Sequence, residues 1–259
     1  SLMRVLPELF HMQELLEADA TEPLMANNWL PDIQVMTSRD REASTDGLYL
    51  AVKAGHNEES HNHNDVGSFI VFKDGLPAII DVGGATYTRN YGNEWVRESA
   101  YHNLLPVIDG HGQRKGRKYA ARDVSYAATG TAVVLSQDIA GAYGEAAGLR
   151  SWDRTVRHEK GESITISDSY EFEGTPSLVL LPMKLRVEPD VSSAGEVGVA
   201  AGHGTNIHIA YDAERFDVTY DELDIEDKKI AARWGGALYR LQFSLKTPAK
   251  RGSHKFVIR

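Results

Sequence analysis

Ser60-His61-Asn62-His63-Asn64-Asp65 sets two imidazoles, two amides and a carboxylate within six residues. Histidine binds metal or moves protons near neutral pH, so this knot has one of two chemistries, ligation or proton handling. In extended backbone, residues two apart share a face, which would place His61 and His63 side by side. Two further residues could complete a ligand set. Asp81 follows an apolar run, and His102 lies beyond the stretch 83–99. Two imidazoles and one carboxylate suit Zn²⁺, which takes such donors tetrahedrally and leaves one position for water. His-x-His pairs on strands also occur as surface or hydrogen-bonded histidines, so the ligand reading competes with a purely structural one.

The elements that must position these groups can be read from pattern. Phe69-Ile70-Val71-Phe72 is one strand, Lys73-Asp74-Gly75 a turn, and Pro77 to Val82 the returning strand. Such a hairpin carries Asp81 back towards the histidine knot. Leu48, Leu50 and Val52 alternate with Tyr49, Ala51 and Lys53 as a further strand. Runs at 131–135, 155–158, 163–167, 178–181, 206–210, 216–220, 237–245 and 255–258 extend the pattern, with Gly, Asp or Asn in nearly every gap. There is no regular βαβ alternation, so the expected fold is all-β: a large antiparallel β-sandwich with a short N-terminal helix. Pro7 to Ala18, with Leu9, Met12, Leu15 and Leu16 at helical spacing, is that helix. The expected division is helix and linker over 1–32 and sandwich over 33–259.

Composition bounds the function. The 259 residues are 42% hydrophobic, enough to bury a core, and contain no cysteine, which excludes disulfides, thiolate metal sites and Cys nucleophiles. A net charge of −9 argues against nucleic-acid binding, and no apolar run is long enough for a transmembrane helix. Arg114-Lys115-Gly116-Arg117-Lys118 is a local basic patch or a solvated turn. Ser1-Leu2 ahead of Met3 reads as an added remnant, which makes the chain an expected piece of a longer protein. His11, His56, His111, His158, His203, His208 and His254 lack partners at convincing spacing and are taken as structural or surface residues.

Two metal-binding patterns fail on named positions. A cupin motif needs a Glu where Gly67 and Ser68 stand, and a metallo-β-lactamase motif needs a His where Val66 stands. A third pattern fits. The stretch 48–55, then Ser60 to Phe69, Asp74 to Gly83, Thr86-Tyr87-Thr88-Arg89, Ser99-Ala100-Tyr101-His102-Asn103, Asp109-Gly110 and Gln113 resembles the heparinase II/III-like polysaccharide lyases. The specific part of the resemblance runs from about Trp29 to Gln113.

That resemblance implies an N-terminal α/α toroid, absent from this chain, followed by the β-sandwich, with a cleft between them. It implies zinc on His63, Asp81 and His102, and it places His61 near a substrate uronate carboxylate. Tyr87 and Arg89 become candidate substrate-binding residues, the latter because guanidinium binds oxyanions bidentately. The implied reaction is β-elimination on a uronic-acid polysaccharide, such as a glycosaminoglycan or alginate, in the periplasm or outside the cell. The implied catalytic Tyr and Asn or His neutraliser belong to the toroid, so the chain alone is expected to bind zinc but turn over little. A non-catalytic metal- or carbohydrate-binding sandwich is the alternative.

Overall fold

The computed structural model describes residues 6, 7, 9–18, 22–84 and 94–259. In chain order the first strands are β1 (Asn27–Leu30), β2 (Val35–Arg39), β3 (Leu48–Lys53), β4 (His56–Asn57), β5 (Phe69–Lys73) and β6 (Leu76–Ile79). Next come β7 (Val107–Ile108), β8 (Gly116–Ala120), β9 (Arg122–Ala128), β10 (Ala132–Asp138), β11 (Leu149–Glu159) and β12 (Ser163–Phe172). The last are β13 (Val179–Leu185), β14 (Glu196–Gly202), β15 (Thr205–Ala210), β16 (Phe216–Asp224), β17 (Ala237–Leu245) and β18 (Arg251–Ile258). Among the described residues, two short α-helices, α1 (Met12–Glu17) and α2 (Lys228–Trp234), and several 3₁₀ turns accompany the strands.

The strands form a β-sandwich, as expected. One sheet runs β1-β2-β3-β5-β6-β13-β17-β16, with β7 also on β13; the other runs β14-β15-β18-β12-β11-β10-β9. Pairing is antiparallel throughout, and a small β4–β8 ribbon lies apart. Alternation explains the layering. Leu48, Leu50 and Val52 of β3 are buried while Tyr49, Ala51 and Lys53 are half-exposed, and β12 alternates likewise. The inward residues of both sheets form one core that includes Leu50, Val71, Val156, Ile166 and Phe256.

Ile79 belongs to that core, whereas its neighbour Ile80 belongs to a second one. Successive residues of an extended chain face opposite ways, so the end of β6 contributes to both. The second core gathers Val82, Val96, Ile225, Ile230 and Leu238, and it seats α2. Asp227 caps α2 by accepting from the Lys229 and Ile230 N–H groups.

Polar ties also cross between the sheets. His158 of β11 is fully buried, with Nδ1 2.8 Å from Ser38 Oγ and Nε2 2.8 Å from Asp40 Oδ1. Asp40 further accepts from the Gly161 and Leu48 N–H groups. His158 is thus structural, as the sequence suggests. The sheet begins at Asn27 rather than near Ile33. None of the residues of helix α1 is buried, and Leu15 and Leu16 are exposed.

Candidate metal centre

His63 sits in an irregular connection between β4 and β5, and side chains substitute for the missing ladder there. Gln113 acts as a surrogate strand: its Oε1 accepts from Val66 N–H at 3.0 Å, and its Nε2 donates to Val66 O at 2.6 Å. Asn57 Nδ2 donates to the same Oε1 at 2.9 Å. Ser99 Oγ donates to Asn64 O and accepts from Gln113 N–H, both at 2.9 Å. The residue beside His63 is therefore bonded to Ser99 through its carbonyl and to Arg97 O through its N–H. Gly67, at φ +90°, makes the close turn into β5; a Cβ there would lie 2.8 Å from Ile139 Cγ2.

The β5–β6 hairpin delivers Asp81. Its two-residue loop, Asp74 and Gly75 at φ +52° and +76°, is the doubly left-handed turn that matches strand twist. Gly83 N–H then donates to Asp81 Oδ1 at 2.8 Å and fixes the carboxylate. His102 follows a single 3₁₀ turn, Ser99–Tyr101. Its neighbour Asn103 is fully buried; it donates to Phe69 O at 2.7 Å and Ile80 O at 2.9 Å, and accepts from Lys184 N–H at 2.7 Å. One amide thus bonds to both arms of the hairpin and to β13. Leu104 follows at φ +52°, a left-handed conformation that a leucine rarely adopts, with its N–H on Pro182 O.

A second buried group couples the two ligand-bearing segments. Arg154 of β11 donates to Gly67 O at 3.0 Å, to Leu104 O at 2.7 Å, and through Nε and Nη2 to Asp168. Neither partner of this ion pair has any exposure. Pairing at both guanidinium edges is what makes such burial tolerable.

The outcome is convergence. Donor atoms of His63, Asp81 and His102 all lie within 4.8 Å of one another. His102 Nδ1 is 2.7 Å from Asp81 Oδ2, and the His63 and His102 rings are 5.2 Å apart. Burial works to raise the Asp81 pKa, but the His102 imidazole and the Gly83 N–H outweigh it and hold it at about 2. Burial, and then the charge of His102, push His63 below the ordinary imidazole range, so it presents a lone pair. Burial opposes protonation of His102, yet Asp81 reverses this and raises it. Lys184, buried nearby with Nζ on Ala100 O, is driven well below the usual lysine range by burial and by Arg240.

This donor set fits a divalent cation. Two imidazoles and a carboxylate are the right chemistry, and a cation can replace the proton shared by His102 and Asp81 as the positive charge between them. His102 Nε2 is buried and has no hydrogen-bond partner among the described residues. Asp81 keeps 30% of its side chain exposed, which leaves a way in.

His61 and His63 would share a face if their segment were extended, and it is not. His61 is an exposed turn residue at φ +61°, so strand alternation does not apply, and it is not among the three clustered residues. Tyr87 and Arg89 lie outside the described residues. Tyr101 is half-buried beneath Lys184 and Arg240, with Lys184 Nζ and the Arg240 guanidinium 5.3 and 5.4 Å from its ring. Ser99, Asn103 and Gln113 belong to the motif, but their work on backbone groups is not legible from the letters. Arg154 carries no signal, because the loop carbonyls it holds lie 50 and 87 residues away.

A family model described as heparinase II/III-like, C-terminal, matches residues 26–252. No curated protein matches the sequence. Among solved structures, the heparan sulfate lyase HepC from Pedobacter heparinus aligns with a TM-score of 0.72 at 19% identity, over 98% of this chain and 39% of that one. Heparinase III, the BT4657 gene product, aligns with a TM-score of 0.74 at 15% identity, over 97% and 38%. The chain therefore spans less than two-fifths of the length of either.

Proposed function

The chain belongs to the heparinase II/III-like C-terminal family, and from that premise we propose that it forms the sandwich wall of a lyase cleft that cuts uronic-acid polysaccharide by β-elimination. The meeting of His63, Asp81 and His102 at one point carries this reading. Hydrogen bonds from Gln113, Ser99, Asn103 and Arg154 hold the segments that carry these three side chains together, which supports the reading.

Zn²⁺ is the proposed occupant, and when bound it would supply a fixed positive charge and a cross-link between the hairpin and the His102 segment. The remaining chemistry belongs to side chains. Elimination removes the proton at C5, breaks the bond from C4 to the leaving oxygen, and leaves a C4–C5 double bond. A base takes the C5 proton, an acid protonates the leaving oxygen, and a donor at the uronate carboxylate stabilises the developing enolate. His61, exposed two residues from His63, suits that last task. The base and acid are proposed to come from an upstream α/α toroid, because relatives of this fold are more than twice as long. The isolated chain is accordingly proposed to bind zinc with little turnover, and the whole enzyme to act in the periplasm or outside the cell. Among the described residues no helix is long and apolar enough to cross a membrane.

Metal analysis and an absorbance assay for unsaturated uronate test this together. We expect about one zinc per chain, near none in His63→Ala, and turnover only when the full-length enzyme is used. A full-length enzyme that holds zinc but releases no unsaturated product from any uronic-acid polysaccharide would shift the assignment to a non-catalytic carbohydrate- or metal-binding sandwich.

A further inference from the structure

A cavity of about 840 Å³ has Asn64, the chain neighbour of His63, and Ser99 in its wall. That is within the ~300–1,000 Å³ range of small-ligand sites. Part of its wall is glycine. A Cβ at Gly112 would lie 3.1 Å from Ser99 Cβ, and one at Gly144 would lie 3.2 Å from Arg114 Cγ, so the bare backbone keeps the space open and lets the Arg114 stem lie along the wall.

Four cations line it, and they are not equivalent. Arg122 is paired with Asp138 at 2.8 Å and Arg150 with Glu171 at 3.4 Å. Arg114 and Lys118 are exposed, and their side chains have no hydrogen bond or ion pair among the described residues. Lys118 Nζ instead rests 5.1 Å from the centre of the Tyr119 ring. In a chain of net charge −9, two cations without a carboxylate partner among the described residues at one cavity are a local exception to a field that repels anions. Three carboxylates, Glu98, Glu145 and Glu173, line the same space. They accept hydrogen bonds from hydroxyl groups and repel a densely charged ligand. A partner that satisfies both sets is rich in hydroxyls and carries isolated negative charges.

We propose that this cavity is a saccharide-binding site, separate from the His63–Asp81–His102 cluster, for a sparsely charged uronate-bearing oligosaccharide whose carboxylate pairs with Arg114 and Lys118. The site rests on the acidic-polysaccharide reading above and narrows it, since it favours carboxylated over heavily sulfated chains. It also gives a role to the basic patch that the metal chemistry leaves unused.

Calorimetric titration of the chain with three tetrasaccharides tests it: unsulfated hyaluronan, fully sulfated heparin and neutral cellotetraose. Hyaluronan is expected to bind best. Arg114→Ala/Lys118→Ala should weaken it about tenfold or more, the loss of roughly one charge-assisted contact. Lys255→Ala, an exposed substitution on β18, should leave it unchanged, with circular dichroism confirming that both variants fold. Equal affinity in the double variant, tighter binding of heparin, equal binding of cellotetraose, or no binding to the unaltered chain at millimolar sugar would each overturn the inference. The unsaturated-uronate assay on the full-length enzyme reads the lyase assignment independently. Turnover without cavity binding sinks only the cavity, and binding without turnover sinks only the lyase.

Discussion

Replacing Asn103 by alanine strips partners from three buried backbone groups at once: Phe69 O, Ile80 O and Lys184 N–H. Each orphaned group costs ~1–3 kcal/mol, so Asn103→Ala is expected to lose about 3 kcal/mol or more in urea unfolding. A loss below about 1 kcal/mol would show that the amide is not the clamp described. The contrast with His102, its neighbour, explains what could be read from letters. A ligand candidate is legible because side-chain type announces its chemistry, and His63, Asp81 and His102 were identified that way. Asn103, Ser99 and Gln113 act on main-chain atoms that every residue possesses, so nothing in the sequence names their partners. His61 misled for a related reason: alternation holds only where backbone is extended, and that residue adopts a left-handed turn.

Strands with one wet face and one dry face were the most legible elements. β3, β5 and β17 lie where the pattern puts them and Asp74-Gly75 is the hairpin loop, whereas the returning strand β6 runs Leu76–Ile79 rather than Pro77 to Val82 and does not alternate. β1 (Asn-Asn-Trp-Leu) and β9 did not stand out, since neither has a buried residue to mark a dry face. Helix α2 escaped notice because seven residues give too few turns for a period, and only Ile230 is buried. Between elements, the Asp40–His158 contact joins β2's end to β11 across the sandwich. Burial would raise the Asp40 pKa, but the His158 hydrogen bond and two backbone donors bring it from 3.8 to about 2. A carboxylate depressed in the folded state stabilises fully above its unfolded pKa and loses that contribution as pH falls through the folded one. The predicted window is therefore from about pH 4 down to about pH 2, with at most about 2 kcal/mol at stake. Thermal melts of Asp40→Asn should be flatter than those of the unaltered chain across that window. Parallel curves would remove Asp40 from the acid response.

At the scale of the molecule, two stacked antiparallel sheets were foreseeable from many short strands and no βα rhythm, whereas sheet order was not. β13 pairs with β6, β7 and β17, neighbours drawn from both ends of the chain, and no local pattern encodes such choices. The same long reach gives the Arg154 guanidinium a temporal consequence. It bonds Gly67 O and Leu104 O across 87 and 50 residues, so the two loops cannot be locked in place until the opposing sheet has docked. A chain diluted out of denaturant should therefore take the zinc proposed above from a chromogenic indicator only in the slowest kinetic phase, after far-ultraviolet dichroism has recovered. Stopped-flow mixing can time the two signals against each other, and ion capture that precedes sheet formation would contradict the order. With capture last, the loops act as a clock hand, stopped by an arginine that arrives from the other side.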